Sequence, residues 1–454
     1  MDSLPIEVLL EIFKFLPWTD LVSMTLVSRK MYLWANAPRL WTNYLFKFFC
    51  HTNIEVLNSS RFSCLKTLAL IGEFGSDIDY VYNVVSRQTI KSVILADFSA
   101  EGCNIYPPFF LVLLQKENLT IRGGFRRGEF SPLQNDVFCD NLAYSNLVSL
   151  CMSDMLVPCN DRNNYYVDIK ELTFIKTTFT AGFEASFFPA LINKNGMKTT
   201  KLTFVSIGNE CIFRDFAQGI TVLESLSITN WNPRGMYLLF SELTFTSPLK
   251  SLCLHRVDLD PVGGRMCLEL FANVLRVDIS NCFVTSERDE LRTLFRKIFL
   301  LDNPTITSIS CENVRLSGIG PMFLSYSLHK LQHVNLSGTS LTADQCTYLF
   351  EYQLIPPSSI SFLDISNNCM SNLDFDCVVK GISSIREVVL CNVLLPNTYF
   401  VFLLSLCSMI YNEQIPTKLV KLRVGDGVCY SFIPKSFPYV NYKLEDGIFA
   451  LSFS

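Results

Sequence analysis

The sequence is poor in the residues and patterns from which most catalytic sites are built. Histidine occurs only four times in 454 residues, at His51, His255, His329 and His333, and no metal site is expected from them. There is no G-x-x-x-x-G-K to cradle a phosphate and no G-x-S-x-G to expose a serine nucleophile. Gly123-Gly124 and Gly318-Ile319-Gly320 read as bare turns, and no clustered pair of acids has an evident task. The chain is therefore expected to be non-catalytic, with no cofactor. Charged residues are also sparse at 18%, and the net charge is −4. That balance excludes a broad electrostatic grip on nucleic acid or on an anionic membrane. The longest apolar run, Tyr399 to Tyr411, is too short to span a bilayer. The first residues, Met1-Asp2-Ser3, lack the basic start of a secretory signal.

What is abundant is apolar side chain, at 49%, with 37 phenylalanines among them. Such a chain can bury a large core and is not disordered. Seventeen cysteines are scattered without a C-x-x-C pair, so they are expected to be reduced thiols acting as small buried hydrophobes in a cytoplasmic or nuclear protein.

The first forty-odd residues form one unit. Pro5 fits a first helical turn and Pro17 ends a helix over Leu4 to Leu16. The polar residues Glu7, Glu11 and Lys14 fall on one narrow stripe, and almost everything else on that helix is apolar. A helix apolar over most of its circumference must be covered from more than one side. A unit this small rarely supplies all of that cover itself. Thr19 or Asp20 is expected to cap a second helix, and a third runs from Ser28 through Trp34. Pro38 then breaks the chain, and Leu40-Trp41 opens a fourth helix carrying Tyr44, Leu45 and Phe48.

This stretch, residues 1–48, resembles an F-box. It carries Leu4-Pro5, Glu7-Val8-Leu9, Ile12-Phe13, Leu16-Pro17, Asp20-Leu21, Val27, Arg29 and Leu40-Trp41 at the spacing of that family. It departs at Ser28, where the family usually has Cys, and at Met31, where it usually has an aromatic. The resemblance implies docking on a Skp-family adaptor and, through it, on a cullin and a RING subunit. The adaptor contacts it implies are Leu4, Pro5, Ile12, Phe13, Leu16, Pro17, Leu21, Val27, Leu40 and Trp41.

From Arg61 onward an apolar-x-x-apolar-x-apolar strand recurs, followed by a loop and a helical stretch. Clear examples are Leu65-Leu68-Leu70, Ile90-Val93-Leu95, Leu249-Leu252-Leu254, Val274-Val277-Ile279, Leu331-Val334-Leu336 and Ile385-Val388-Leu390. Single matches are weak in so apolar a chain. Intervals of 25 or 26 residues carry the weight, since a strand plus a helix of that length must stack on neighbours to bury its apolar face. Helical faces are expected at Gly263–Val274, Glu287–Leu301 and Thr342–Leu354.

The pattern resembles the leucine-rich repeat. Residues 61–424 would hold about 13–14 irregular units, with 101–140 the least repeat-like segment, and 425–454 would be a cap or tail. The Asn or Cys that the family places eight residues after the first anchor is present at Cys282 and Asn368. It is absent at Val257, Val314, Thr339 and Val393. An Arg cluster at Arg122, Arg126 and Arg127 reads as a solvated loop or as a patch for an acidic partner.

The fold class expected is α/β: an N-terminal helical F-box followed by a leucine-rich-repeat solenoid, a horseshoe with parallel strands on its concave face and helices outside. Together the resemblances imply a substrate-recognition subunit of an SCF-type cullin–RING ubiquitin ligase. The alternative is a scaffold that binds the adaptor or other partners without directing degradation. An unidentified protein substrate would meet the strand residues lying between the anchors: Glu171, Thr173, Lys201, His255, Arg276, Asp278, His333, Asn335, Phe362, Asp364, Glu387, Lys421 and Arg423. Their charges alternate in sign, which disfavours a strongly basic or acidic ligand. Phe362 stands out as an aromatic anchor for a partner.

Overall fold

The computed structural model describes residues 4–42, 45–49, 59–74, 78–99, 107–123, 145–154, 156–157, 169–179, 200–206, 223–230, 249–257, 259, 274–283, 306–316, 331–354, 359–371, 373–394, 399–412, 418–425, 440–445 and 448–453. The chain divides into two compact units, Met1–Val222 and Leu223–Ser454.

The first unit opens with α1 (Ile6–Phe13), α2 (Trp18–Met24), α3 (Arg29–Ala35) and α4 (Pro38–Trp41). The two prolines act as starters: Pro5 precedes α1, and Pro17, rather than Thr19 or Asp20, precedes α2. The departure at Ser28 has a use, because its side chain caps α3 by accepting from Met31 N at 3.1 Å. The core of this unit is Leu9, Phe13, Leu21, Ala35, Leu40 and Trp41.

The expected fourth helix is corrected. It ends at Trp41, and Leu45–Phe49 is strand β1. The spacing of Leu45 and Phe48 suits a helix, but the alternating Phe46 and Phe48 suit a strand and win. They lie opposite Leu68 and Leu70 of β2 (Thr67–Glu73) in parallel register. Trp41 links the helices to β1 through Phe62: its indole donates to Ala35 O at 2.9 Å, its ring meets Phe62 edge-on at 5.5 Å, and Phe62 lies 4.6 Å from Phe46 of β1. The Arg61 guanidinium lies over both Trp41 and Phe62.

From β2 the first unit continues through β3 (Ser92–Ser99), β4 (Asn118–Arg122), β5 (Ser149–Ser153), β7 (Glu171–Ile175) and β9 (Lys201–Val205), each parallel to the last. Between them, β6 (Leu156–Val157) and β8 (Thr178–Phe179) make a small parallel pair. Helices α5 (Ile78–Val85) and α6 (Pro107–Leu114) fill the first two crossovers. Segment 101–140 is corrected in part. Leu119 and Ile121 of β4 align with Val93 and Leu95 of β3, so a repeat is present. Its first anchor is Lys116, an unexpected residue there, 6% exposed, with Nζ donating to Arg87 O at 3.0 Å. Arg126 and Arg127 lie outside the described residues.

The second unit stacks β10 (Ser225–Thr229), β11 (Ser251–His255), β12 (Arg276–Asp278), β13 (Ser308–Ser310), β14 (His333–Asn335), β15 (Phe362–Asp364), β16 (Glu387–Cys391) and β17 (Lys421–Gly425), again all parallel. The middle anchors form one column: Leu226, Leu252, Val277, Ile309, Val334, Leu363, Val388 and Leu422. Every one of them is buried. The segment that follows β17 pairs edge-on with it: β19 (Ile448–Phe453) is antiparallel to β17, and β18 (Val440–Glu445) is antiparallel to β19.

Of the expected helical faces, Thr342–Leu354 is present, with helix Ala343–Tyr348 held by a capping box between Thr342 and Gln345. The faces at 263–274 and 287–301 fall largely outside the described residues. Helices Phe375–Ser383 and Tyr399–Tyr411 are also present among the described residues of this unit. No described helix is long and apolar enough to cross a membrane.

Seven residues after most first anchors the backbone turns left-handed. Asn230, Asn281, Asn313, Asn367 and Asn392 hold this place with φ between 54° and 58°, and Asp154, Lys176, Ser206 and Arg256 hold it with φ between 46° and 55°. Asn and Asp tolerate that region better than most residues. Gly338 takes the same place at φ 65°, where a Cβ would run into Asn313 Oδ1.

One residue further on, the side chains point into the core. Asn368 donates to Leu336 O, Ile365 O and Ser366 O at 2.7–3.1 Å and accepts from Leu341 N at 3.1 Å. Cys282 donates to Leu254 O at 3.0 Å. Val257, Val314 and Val393 fill the place with packing alone.

Candidate docking surfaces

The helical unit sorts its apolar residues onto two faces. Leu9 and Phe13, four apart, point into the core, whereas Val8, Ile12 and Phe15 share a neighbouring, exposed stripe of α1 and its exit. Phe15 is 87% exposed, Leu26 86% and Val27 70%, with Leu4, Ile6, Tyr32 and Leu33 also open to solvent. So many exposed large apolar side chains in one small unit make it a candidate interaction surface.

The expected adaptor residues therefore divide. Leu4, Pro5, Ile12, Pro17 and Val27 lie on the surface, and Leu16 is half-buried. Phe13, Leu21, Leu40 and Trp41, at 0–3% exposure, lie in the unit's own core, beneath the helices that carry the outer set. Ile6, Val8, Phe15, Leu26, Tyr32 and Leu33, not among the expected contacts, are exposed as well. In a helix apolar nearly all round, only the positions of its neighbours decide which face is covered.

The outward faces of the strands, in each unit by itself, carry the other expected residues. Every residue expected there alternates with a buried anchor and is exposed or half-buried. Neighbouring strands pair several of them: Lys201 with Glu171 at 4.0 Å, Arg423 with Glu387 at 3.3 Å, and His255 Nε2 with Asp278 Oδ2 at 3.0 Å. Pairs this exposed stabilise by about 0–1 kcal/mol, so their weight lies in neutralising the face. Phe362 is half-buried rather than exposed, because its ring packs at 6.0 Å from that of His333.

Three residues of this set also shape the backbone. Asp278, Asn335 and Asp364 each turn one oxygen onto the amide of the serine two places on, Ser280, Ser337 or Ser366, at 2.9–3.0 Å. Arg276 and Lys421 lie on the same face. The exposed His333 stands four residues after His329, in H-x-x-x-H spacing. However, His333 sits on β14, where that spacing has no helical meaning, and His329 lies outside the described residues.

Thiol chemistry varies with depth. Burial pushes the Cys346 and Cys407 thiols up to about 12. Burial raises Cys253 too, with Asp278 adding to the effect. Hydrogen bonding to Ser371 lowers the exposed Cys369.

The chain thus joins a small helical unit with exposed apolar side chains to stacked parallel-strand repeats. Residues 1–47 match the family model of the F-box-like domain. No curated protein gave a match to the chain.

Proposed function

We propose that this protein is a substrate-recognition subunit of an SCF-type cullin–RING ubiquitin ligase. The single observation that carries the reading is the exposure of Phe15, Leu26 and Val27 on an F-box-like domain. That face would dock on the Skp-family adaptor, which links to the cullin and the RING subunit. The stacked repeats we read as leucine-rich repeats, on the strength of the in-register anchor columns and the buried Asn368. Their outward strand faces, with Glu171 and Lys201 in the first unit and His255 through Arg423 in the second, are where a protein substrate would dock. The protein would do no chemistry of its own; it would raise the local concentration of a substrate lysine at the ligase. It would work in the cytoplasm or nucleus.

The test is a pull-down of the full chain beside the double variant F15D/L26E. Burying Phe or Leu side chains at an interface contributes about 1.5–3 kcal/mol each. The pair should therefore cost at least a hundredfold or so in adaptor affinity while leaving the folded state intact. Wild type is expected to bring down adaptor and cullin, and the variant neither. Equal adaptor recovery by both would overturn the reading. Adaptor without cullin from wild type would favour the scaffold role.

A further inference from the structure

On the outward face of the second unit, Cys253 and His255 stand two apart on β11, so they emerge on the same side. Strand β12 sets Asp278 directly opposite Cys253. Asp278 Oδ2 is 3.0 Å from His255 Nε2 and 3.9 Å from Cys253 Sγ. The three donor atoms all lie within 4.8 Å of one another. In a tetrahedral zinc site, bonds of roughly 2.0–2.3 Å place neighbouring donor atoms about 3.3–3.7 Å apart, and the observed separations bracket that range. A His–Asp pair alone is commonplace; here a thiol reaches the same carboxylate oxygen from the third side. Among the described residues, no other set of three His, Cys, Asp or Glu donors comes so close together.

The carboxylate is also held for the task. Asp278 Oδ1 accepts from Ser280 N at 3.0 Å and from Ser280 Oγ at 2.5 Å, and Ser280 Oγ lies 2.8 Å from Ser310 Oγ. That leaves Oδ2 aimed at His255 and Cys253. Such outer hydrogen bonds are what fix a metal ligand's orientation. All three side chains are half-buried, within reach of an ion from solvent.

We infer that Cys253, His255 and Asp278 form a zinc site with its fourth position open. One thiolate, one imidazole and one carboxylate suit zinc and disfavour calcium or magnesium, which take oxygen ligands. Three protein ligands with an open position is the arrangement of an exchangeable or reactive zinc rather than of a closed structural one. The fourth place faces outward from the sheet, open to water or to a side chain of a docked protein. The inference is independent of the proposed ligase role.

The test uses the full chain under reducing conditions, titrated with cobalt(II) and followed by visible absorption, then with zinc against a chromophoric chelator. One tetrahedral cobalt with a thiolate charge-transfer band is expected, displaced by zinc. C253S should abolish that band, and D278N should weaken zinc by about a hundredfold or more. S280A, which frees the carboxylate, should weaken it by about 10–100-fold. D278N keeps an oxygen for Ser280, so it tests the site even if C253S folds poorly. No cobalt uptake, or a spectrum and stoichiometry unchanged in C253S or D278N, would overturn the inference.

Discussion

Replacing Asn368 by valine tests how the repeats of the second unit are held. Valine occupies the equivalent place at 257, 314 and 393, so the pocket accepts its shape. What the substitution removes is hydrogen bonding. Leu336 O keeps Thr339 Oγ1 at 2.7 Å, and Ser366 O keeps Gly338 N at 2.8 Å. Leu341 N and Ile365 O lose the side chain that serves them. A buried polar group left unsatisfied costs about 1–3 kcal/mol. Two of them give about 2–5 kcal/mol once some relaxation is allowed.

At roughly 2 cal/mol/K per residue, a cooperative unit of about 230 residues should melt about 4–10 °C lower. The assay is thermal unfolding of the full chain by circular dichroism, read on the transition that N368V moves. C282V, which removes one weak thiol donor, should shift it by only about a degree or two. If N368V melts within about 1 °C of wild type, the buried amide is not holding the turn and the reasoning fails.

Lys116 gives a pH signature. Burial lowers its pKa below the ordinary 10.5. Over that interval the unfolded chain binds more protons than the folded one, so stability rises with pH until 10.5 is passed. K116M should remove this rise; parallel curves of stability against pH for the two proteins would contradict it. Cysteine labelling offers a second check. Cys369 is exposed with a lowered pKa, whereas Cys346 and Cys407 sit near 12. A brief iodoacetamide pulse read by mass spectrometry should mark Cys369 far ahead of the other two, and S371A should slow it. Comparable native labelling of Cys346 would show that its burial is misassigned.

The repeats were legible because apolar anchors at three and five residues from the first recur at near-constant intervals, and this survives great variation between them. Two units escaped. At β4 the first anchor is Lys116, whose aliphatic stem packs where a leucine was sought, while its amine finds a carbonyl across the crossover. At β1 the pair Leu45 and Phe48 fitted a helical period as well as Phe46 and Phe48 fitted an alternating one. Only the neighbouring strand decided between them. Helix α1 showed the same limit. That α1 needed two coverings followed from its composition, but which of Phe13 and Phe15 met its own domain depended on where α3 and α4 lay. The Cys253–His255–Asp278 set was invisible for a further reason. Its third member comes from the next strand, and parallel register, not spacing along the chain, brings it there.

The anchor columns make each strand behave like a reading frame. Between the middle anchors of successive strands the chain runs 25 residues from Leu252 to Val277, 32 from Val277 to Ile309 and 34 from Val388 to Leu422, and the columns stay aligned. Length can therefore drift freely in the crossovers. A single residue gained or lost between a first anchor and its left-handed turn has a different fate. It would exchange inside for outside along that rung and move the turn off the residue suited to it. Natural variation in such a chain should accumulate in whole crossovers, while the eight residues from anchor to turn keep a fixed count. The outward face can then change its chemistry residue by residue without disturbing the spacing that displays it.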